Sequence, residues 1–175
     1  MIVINWIARI LGLVLLIAFQ VLVLNNLNVG LFVHPYVFIM FILTLPFATP
    51  QWLAMILAMA LGLIIDMFNN TPGMQMAACV FLAFVRPLVL KALTPVTGYE
   101  NIENPSIYKL GATWFFIYTI IMVLIHHTAY FFIEIFSLRQ LRFTLFNIGL
   151  SSLFSTVLIL VFAFLFTPRK AFGKK

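Results

Sequence analysis

Residues 51–73 read QWLAMILAMALGLIIDMFNNTPG. An apolar run from Trp52 to Phe68 is interrupted by one carboxylate, Asp66, and followed at once by the turn formers Asn69, Asn70, Thr71, Pro72 and Gly73. Asp66 is the only aspartate in the 175 residues. At the centre of a lipid-embedded helix an ionised aspartate costs about 2.5–3.5 kcal/mol on insertion scales, so something has to position it. It stands at the edge of the run, where headgroups and water are in reach, and short Asp side chains commonly hydrogen-bond the backbone of an adjoining turn. A cap or brace for the 69–73 turn is therefore favoured over ion or proton handling.

The surrounding chain is of the same kind. Hydrophobic residues make up 65% and charged residues 8%, against about 25% charged in a soluble domain, and the mean hydropathy is +1.18. Such a composition belongs to a membrane protein, here a single polytopic domain over residues 1–175. The first apolar run lacks a small-residue cleavage site and is read as a retained transmembrane helix. Cys79 is alone, which excludes a disulfide framework and a cysteine-rich metal site. The net charge of +6 is not read as a nucleic-acid signal, because four of the ten basic residues, Arg169, Lys170, Lys174 and Lys175, crowd the tail after an apolar run. That arrangement suits an anionic membrane surface.

Six hydrophobic segments can be marked, at about 6–24, 35–47, 51–68, 74–93, 110–136 and 143–166. A helix needs roughly 20 residues to cross about 30 Å of hydrocarbon. Pro46 and Pro50 bracket the division between the second and third segments, which predicts a tight hairpin of two short helices in preference to one long bent helix. The expected fold is all-α with six transmembrane helices. An even number puts both termini on one side. Arg9, Lys91, Lys109 and the four tail residues then face the cytoplasm against only Arg139 and Arg142 outside, as the positive-inside rule requires. Trp6, Trp52, Tyr108 and Trp114 fall near the cytoplasmic ends, where amphipathic rings prefer the interface. Only short connections remain outside, which excludes a large external binding surface.

Ala54, Ala58, Gly62 and Asp66 recur every four positions and make one ridge of small side chains on a helix. Such ridges let backbones approach closely, which is a main source of helix association in lipid. The ridge packs either against another helix of this chain or, with Asn69 and Asn70 at its end, against a second membrane protein. Gln20, Arg86, His126, His127, Tyr130 and Glu134 are the candidates for an intramembrane polar network. His127, Tyr130 and Glu134 share one helix face, and a polar stripe in lipid should face protein. Glu134 is expected to pair with Arg139 or Arg142. His127 and Glu134 lie two turns apart, roughly 10 Å, too far to share one ion unaided, so no metal is expected. Gly149, Ser152 and Thr156 offer a matching small, polar face on the last helix. Arg86 precedes Pro87, which should kink its helix, and either snorkels to the interface or meets an anionic ligand or a partner's carboxylate.

Enzyme classes fare poorly. An intramembrane aspartyl protease needs two carboxylates sharing a proton, and there is one aspartate. A dyad of Ser151, Ser152 or Ser155 with His126 lacks a glycine-rich nucleophile turn. Neither a Walker-type glycine loop nor HExxH occurs. No cofactor is expected.

The order His34-Pro35-Tyr36, Leu45-Pro46, Gly62-Leu63-Ile64-Ile65-Asp66 and Gly73, with Gln20 late in the first helix, resembles the MreD family of bacterial rod shape-determining membrane proteins. The likeness covers roughly residues 15–80 and extends to the rest in length, helix number and basic tail. Many members carry Arg before the proline that opens the second segment, where this chain has His34. The resemblance implies a non-enzymatic component of the cell-wall elongation machinery in the inner membrane. Its implied partners are the bitopic protein MreC, MreB filaments on the cytoplasmic face, and RodA with its transpeptidase. MreD-like proteins are also similar in architecture to the substrate-binding S-components of vitamin transporters, which supplies a second expectation, a small-molecule uptake subunit.

Overall fold

The computed structural model describes residues 2–26, 34–96, 98–100, 102–135 and 141–167, and these contain helices and connections but no strand. Asn28, Arg139 and the four basic tail residues lie outside the described residues. Five long helices are present: α1 (Ile2–Leu22), α3 (Gln51–Asn69), α4 (Met74–Ala92), α6 (Ala112–Ile135) and α7 (Leu141–Phe166). Two single turns, α2 (Met40–Leu43) and α5 (Ile107–Leu110), lie between them. Each of the five is long and apolar enough to cross a bilayer, which makes the chain a multi-pass membrane protein by length and composition.

The local sequence explains the boundaries. Pro50, extended at φ −62° and ψ 143°, precedes α3, where its missing N–H is no loss. Asn70 ends α3 in the left-handed conformation at φ 54°, with its N–H donating to the Asp66 carbonyl. Gly73 at φ 81° then turns the chain into α4. A residue with a side chain would strain that position.

The bundle's directions follow from side-chain contacts. Asp66 at the end of α3 meets the start of α4, and Arg86 and Cys79 of α4 meet Tyr118 and His126 of α6. His127 of α6 meets Ser155 of α7. Neighbours in this series are therefore antiparallel. α1 is tied to α3 at one end by the Asn25 amide, which donates to Asn69.

Residues 35–47 depart from expectation. The second of the six expected transmembrane helices is not formed there: residues 34–37 are extended, and only α2 is helical. The segment nevertheless follows α1 for most of its length, since Gln20 bonds Pro35 and Val37 while Arg9 bonds Thr44. Non-helical backbone at membrane depth is tolerated only where protein covers it, because lipid offers no hydrogen bonds. The burial agrees: Val37, Phe38, Ile39, Ile42 and Leu43 are each 0% exposed.

Candidate functional site

Several of the polar residues inside the bundle converge on this irregular segment. Ser151 and Ser155, four residues apart on α7, accept hydrogen bonds from the backbone N–H groups of His34 (3.0 Å) and Tyr36 (2.8 Å). The spacing is physical: two residues of extended chain advance about 6.6 Å, and four residues of helix advance about 6 Å. Gln20 of α1 reads the same stretch from the other side, donating to the Pro35 carbonyl at 3.0 Å and accepting from the Val37 N–H at 2.9 Å.

At the far end three donors hold three successive carbonyls. Tyr118 of α6 donates to Leu43 at 3.1 Å, Arg9 of α1 to Thr44 at 3.2 Å, and Arg86 of α4 to Leu45. The Arg86 Nε–H also donates to the Tyr118 hydroxyl at 3.2 Å. Arg86 is 4% exposed. It does not snorkel, and its guanidinium is engaged inside the protein. α4 continues as helix through Pro87. Beyond the segment, the Phe47 N–H donates to the Glu103 carbonyl and Arg9 approaches the Glu103 carboxylate at 3.5 Å. Tyr99 stacks on Phe47 with ring centroids 4.4 Å apart and donates to the Leu90 carbonyl, and burial pushes its phenol above the ordinary value.

His127 belongs to the same assembly. Its Nδ1 lies 2.9 Å from the Val123 carbonyl oxygen, and its Nε2 lies 3.2 Å from the Ser155 hydroxyl and 3.3 Å from the His34 carbonyl oxygen. The Ser155 oxygen in turn accepts the Tyr36 N–H. Of the serines weighed and disfavoured as dyad partners of His126, Ser155 stands beside His127, and both are completely buried. His126 packs edge-on against Tyr36 and Phe38, with Nε2 3.6 Å from Cys79 Sγ. Its Nδ1 and the side-chain amide of Gln75 meet no partner of good geometry, although Gln75 interacts with the neighbouring Tyr36 hydroxyl. Tyr130 is buried against Tyr36, whereas Glu134, next along the expected stripe, is exposed. Glu134 reaches the Tyr130 hydroxyl from the exposed side, so the network passes from buried rings to an exposed carboxylate. Among the described residues no group of three or more His, Cys, Asp and Glu could hold a metal ion.

Replacing Ser155 with Ala should leave the Tyr36 amide and the His127 ring without their shared hydroxyl. A buried group so orphaned costs about 1–3 kcal/mol. Hydrogen exchange in detergent is expected to accelerate at Tyr36 with little change in α3, and equal exchange in both proteins would contradict this account.

The ridge on α3 has a different use from docking. Ala54, Ala58, Gly62 and Asp66 are all buried, and a Cβ built on Gly62 would lie 2.5 Å from the Met76 Cα and 2.7 Å from the Gln75 carbonyl oxygen. Of the two expected uses of the ridge, packing within the chain is the one formed: Gly62 faces the backbone of α4, and a glycine opposite backbone lets the two helices touch directly. Asp66 completes the joint. Its carboxylate accepts the N–H groups of Gln75 (3.0 Å) and Met76 (2.9 Å) and the Thr71 hydroxyl (2.8 Å). These amides belong to the first turn of α4, which has no intrahelical partner for them and carries the positive end of the helix dipole. Asp66 is an N-cap supplied from the preceding helix. Of the two asparagines, Asn69 accepts from Asn25, and Asn70 is exposed.

Asp66→Ala is expected to destabilise the protein by about 1–3 kcal/mol, with Asp66→Asn, which keeps one acceptor, less damaging. Thermal unfolding in detergent measures it, and an Asn variant as unstable as the Ala variant would show that the second carboxylate oxygen is required. Sequence reasoning missed Tyr118, Ser151 and Ser155 as backbone partners. The serine spacing of four was the available signal, but nothing marked residues 34–36 as the extended chain it matches. No protein-family model matches the chain, and neither a curated protein nor a solved structure matches it.

Proposed function

We propose that this protein is a non-enzymatic scaffold of the MreD kind, working in the inner membrane of a bacterium within the cell-wall elongation machinery and bound to a bitopic MreC-like partner. One observation carries the reading. The residues that bear the resemblance are contacts of one device: Gln20 holds Pro35 and Val37, Leu45 ends the segment on Arg86, Gly62 and Asp66 join α3 to α4, and Gly73 turns between them. A pattern scattered through the sequence for unrelated reasons has no cause to assemble in this way.

In this reading residues 34–50 make a sixth, broken crossing, both termini face the cytoplasm, and the turn joining α3 to α4 lies outside. The basic residues Arg9, Lys91 and Lys109 then share the inner side, as the positive-inside rule favours. The partner helix cannot use the Ala54, Ala58 and Gly62 ridge, which α4 covers, and docks on outward faces instead. Contacts to RodA, its transpeptidase and MreB would be made through the same complex.

The test is affinity purification from mild detergent in a rod-shaped bacterium whose own MreD has been replaced by this chain. Rod shape and co-elution of the MreC partner are expected. Round cells, with the chain inserted and nothing co-eluting, would reject the scaffold reading. A second reading, an S-component-like uptake subunit, is favoured by one feature, the His126 Nδ1 and the Gln75 amide, which lack hydrogen bonds of good geometry beside the Tyr36, Phe38 and Tyr130 rings. A small molecule retained by the purified chain and lost in Gln75→Leu would support it.

A further inference from the structure

α1 is the least covered of the five long helices, and beside it runs a groove of about 650 Å³. One wall is α1 from Arg9 to Val23, and the other is formed by Met40, Phe41 and Thr44 of the broken segment with Phe162 and Phe166 of α7. Among the described residues the lining is apolar except at one end, where Arg9 is its one charged residue and Thr44 lies beside it. Gly12 makes the notch in the helix wall, since a Cβ there would meet nothing within 4 Å.

We infer that this groove holds one acyl chain of an anionic phospholipid, with the headgroup phosphate on the Arg9 guanidinium. Three observations commit the groove to that occupant. Its length along α1, about 20 Å at 1.5 Å per residue, is about two thirds of a hydrocarbon core about 30 Å thick, so it takes in the whole depth of one leaflet's acyl chain. Its charge is at the end of the apolar channel and of the right sign, and guanidinium is the side chain best shaped to grip phosphate oxygens. The guanidinium is also only loosely held: Nη1 donates to the Thr44 carbonyl, while Nη2 faces Glu103 at 3.5 Å, and that carboxylate is more than half exposed. A phosphate can therefore take the Nη2 side without breaking the bond to Thr44. Through Arg9 the lipid would bear directly on the broken segment, whose carbonyl that residue holds.

The experiment uses the full chain purified in detergent, with phosphatidylglycerol and phosphatidylcholine of identical acyl chains as probes, read by native mass spectrometry and by the thermal unfolding midpoint. The wild type is expected to retain one phosphatidylglycerol and to be stabilised by it more than by phosphatidylcholine. Arg9→Gln should abolish the difference between the two lipids while leaving a common, weaker effect of the acyl chain. Gly12→Trp should fill the notch and lower retention of phosphatidylglycerol at least tenfold. Equal stabilisation of the wild type by both lipids would overturn the headgroup assignment. Undiminished retention in Gly12→Trp would overturn the groove. A wild type that holds no phosphatidylglycerol would mean that the groove serves a protein helix instead. Neither variant bears on the scaffold reading, because no partner protein is present.

Discussion

Gly62→Ala is expected to destabilise the protein more than any other addition of a single methyl group at a described helical glycine. The added carbon would stand 2.5 Å from the Met76 Cα and 2.7 Å from both the Met76 nitrogen and the Gln75 oxygen, and all three are backbone atoms. A flexible side chain could rotate away; a helix backbone cannot. α3 and α4 must separate, at a loss expected near the top of the roughly 1–3 kcal/mol typical of overpacking. The separation should also pull the Gln75 and Met76 amides from the Asp66 carboxylate, so a packing fault becomes a capping fault as well. Gly12→Ala and Gly149→Ala are the controls, since a Cβ at either position meets nothing within 4 Å. Both lie inside helices, where alanine is favoured over glycine by roughly 0.5–1 kcal/mol, and both should be neutral or slightly stabilising. Thermal midpoints of the three variants in one detergent decide the matter, and a Gly62→Ala protein that melts with the two controls would mean that α3 and α4 are not in direct backbone contact.

This result bears on how partner binding can be studied. Any bulky residue at Gly62 damages the α3 and α4 joint first, so loss of a co-purifying protein in such a variant would not locate its docking face. Variants on the outward side of α3, at Ile56, Met59 or Leu63, leave the joint intact and are the informative ones.

The sequence was most legible where the physics is local. Uninterrupted apolar length identified all five long helices, because satisfying the backbone in lipid leaves a helix as the only self-contained solution. The role of Asp66 was legible for the same reason, since a lone carboxylate beside a turn has backbone amides within a few residues. The 35–47 stretch was misread because its thirteen residues are as apolar as any helix, and composition cannot report whether hydrogen bonds close within a segment or outside it. The deciding partners lie far away in sequence: Ser151 is 117 residues from His34, and Tyr118 is 75 residues from Leu43. Pro35 and Pro46 were the only nearby hint, and they fit a short helix equally well. The ridge was ambiguous on principle, because small residues at spacing four suit any close-approaching helix, whether the chain's own or another's. His127 and Arg86 were recognisable as residues that need a partner, and each meets peptide carbonyls together with one hydroxyl, Ser155 for His127 and Tyr118 for Arg86.

That role makes Arg86→Met the second large effect expected. The variant keeps a long apolar stem of similar reach and removes the donors, leaving the Leu45 carbonyl and the Tyr118 hydroxyl short of their partners. Two buried groups at about 1–3 kcal/mol each give an expected loss of about 2–6 kcal/mol, reduced to the extent that a buried guanidinium was itself expensive to desolvate. The net effect stays unfavourable because the Leu45 carbonyl and the Tyr118 hydroxyl, both buried, lose their donor in one step. Arg86→Lys should recover only part of the loss, since one ammonium cannot reproduce the fork that spans a hydroxyl and a carbonyl. Tyr118→Phe removes the donor to Leu43 and should cost less. Because Arg86 and Tyr118 bond each other, the double variant is expected to fall short of the sum of the single ones, as coupled neighbours do. Unfolding in detergent gives the energies, and cysteine labelling at Phe47 tests the cause: the end of the segment should become reactive in Arg86→Met and stay protected in Tyr118→Phe. An Arg86→Met protein with wild-type stability and a protected Phe47 position would show that the broken segment is held by its apolar burial alone.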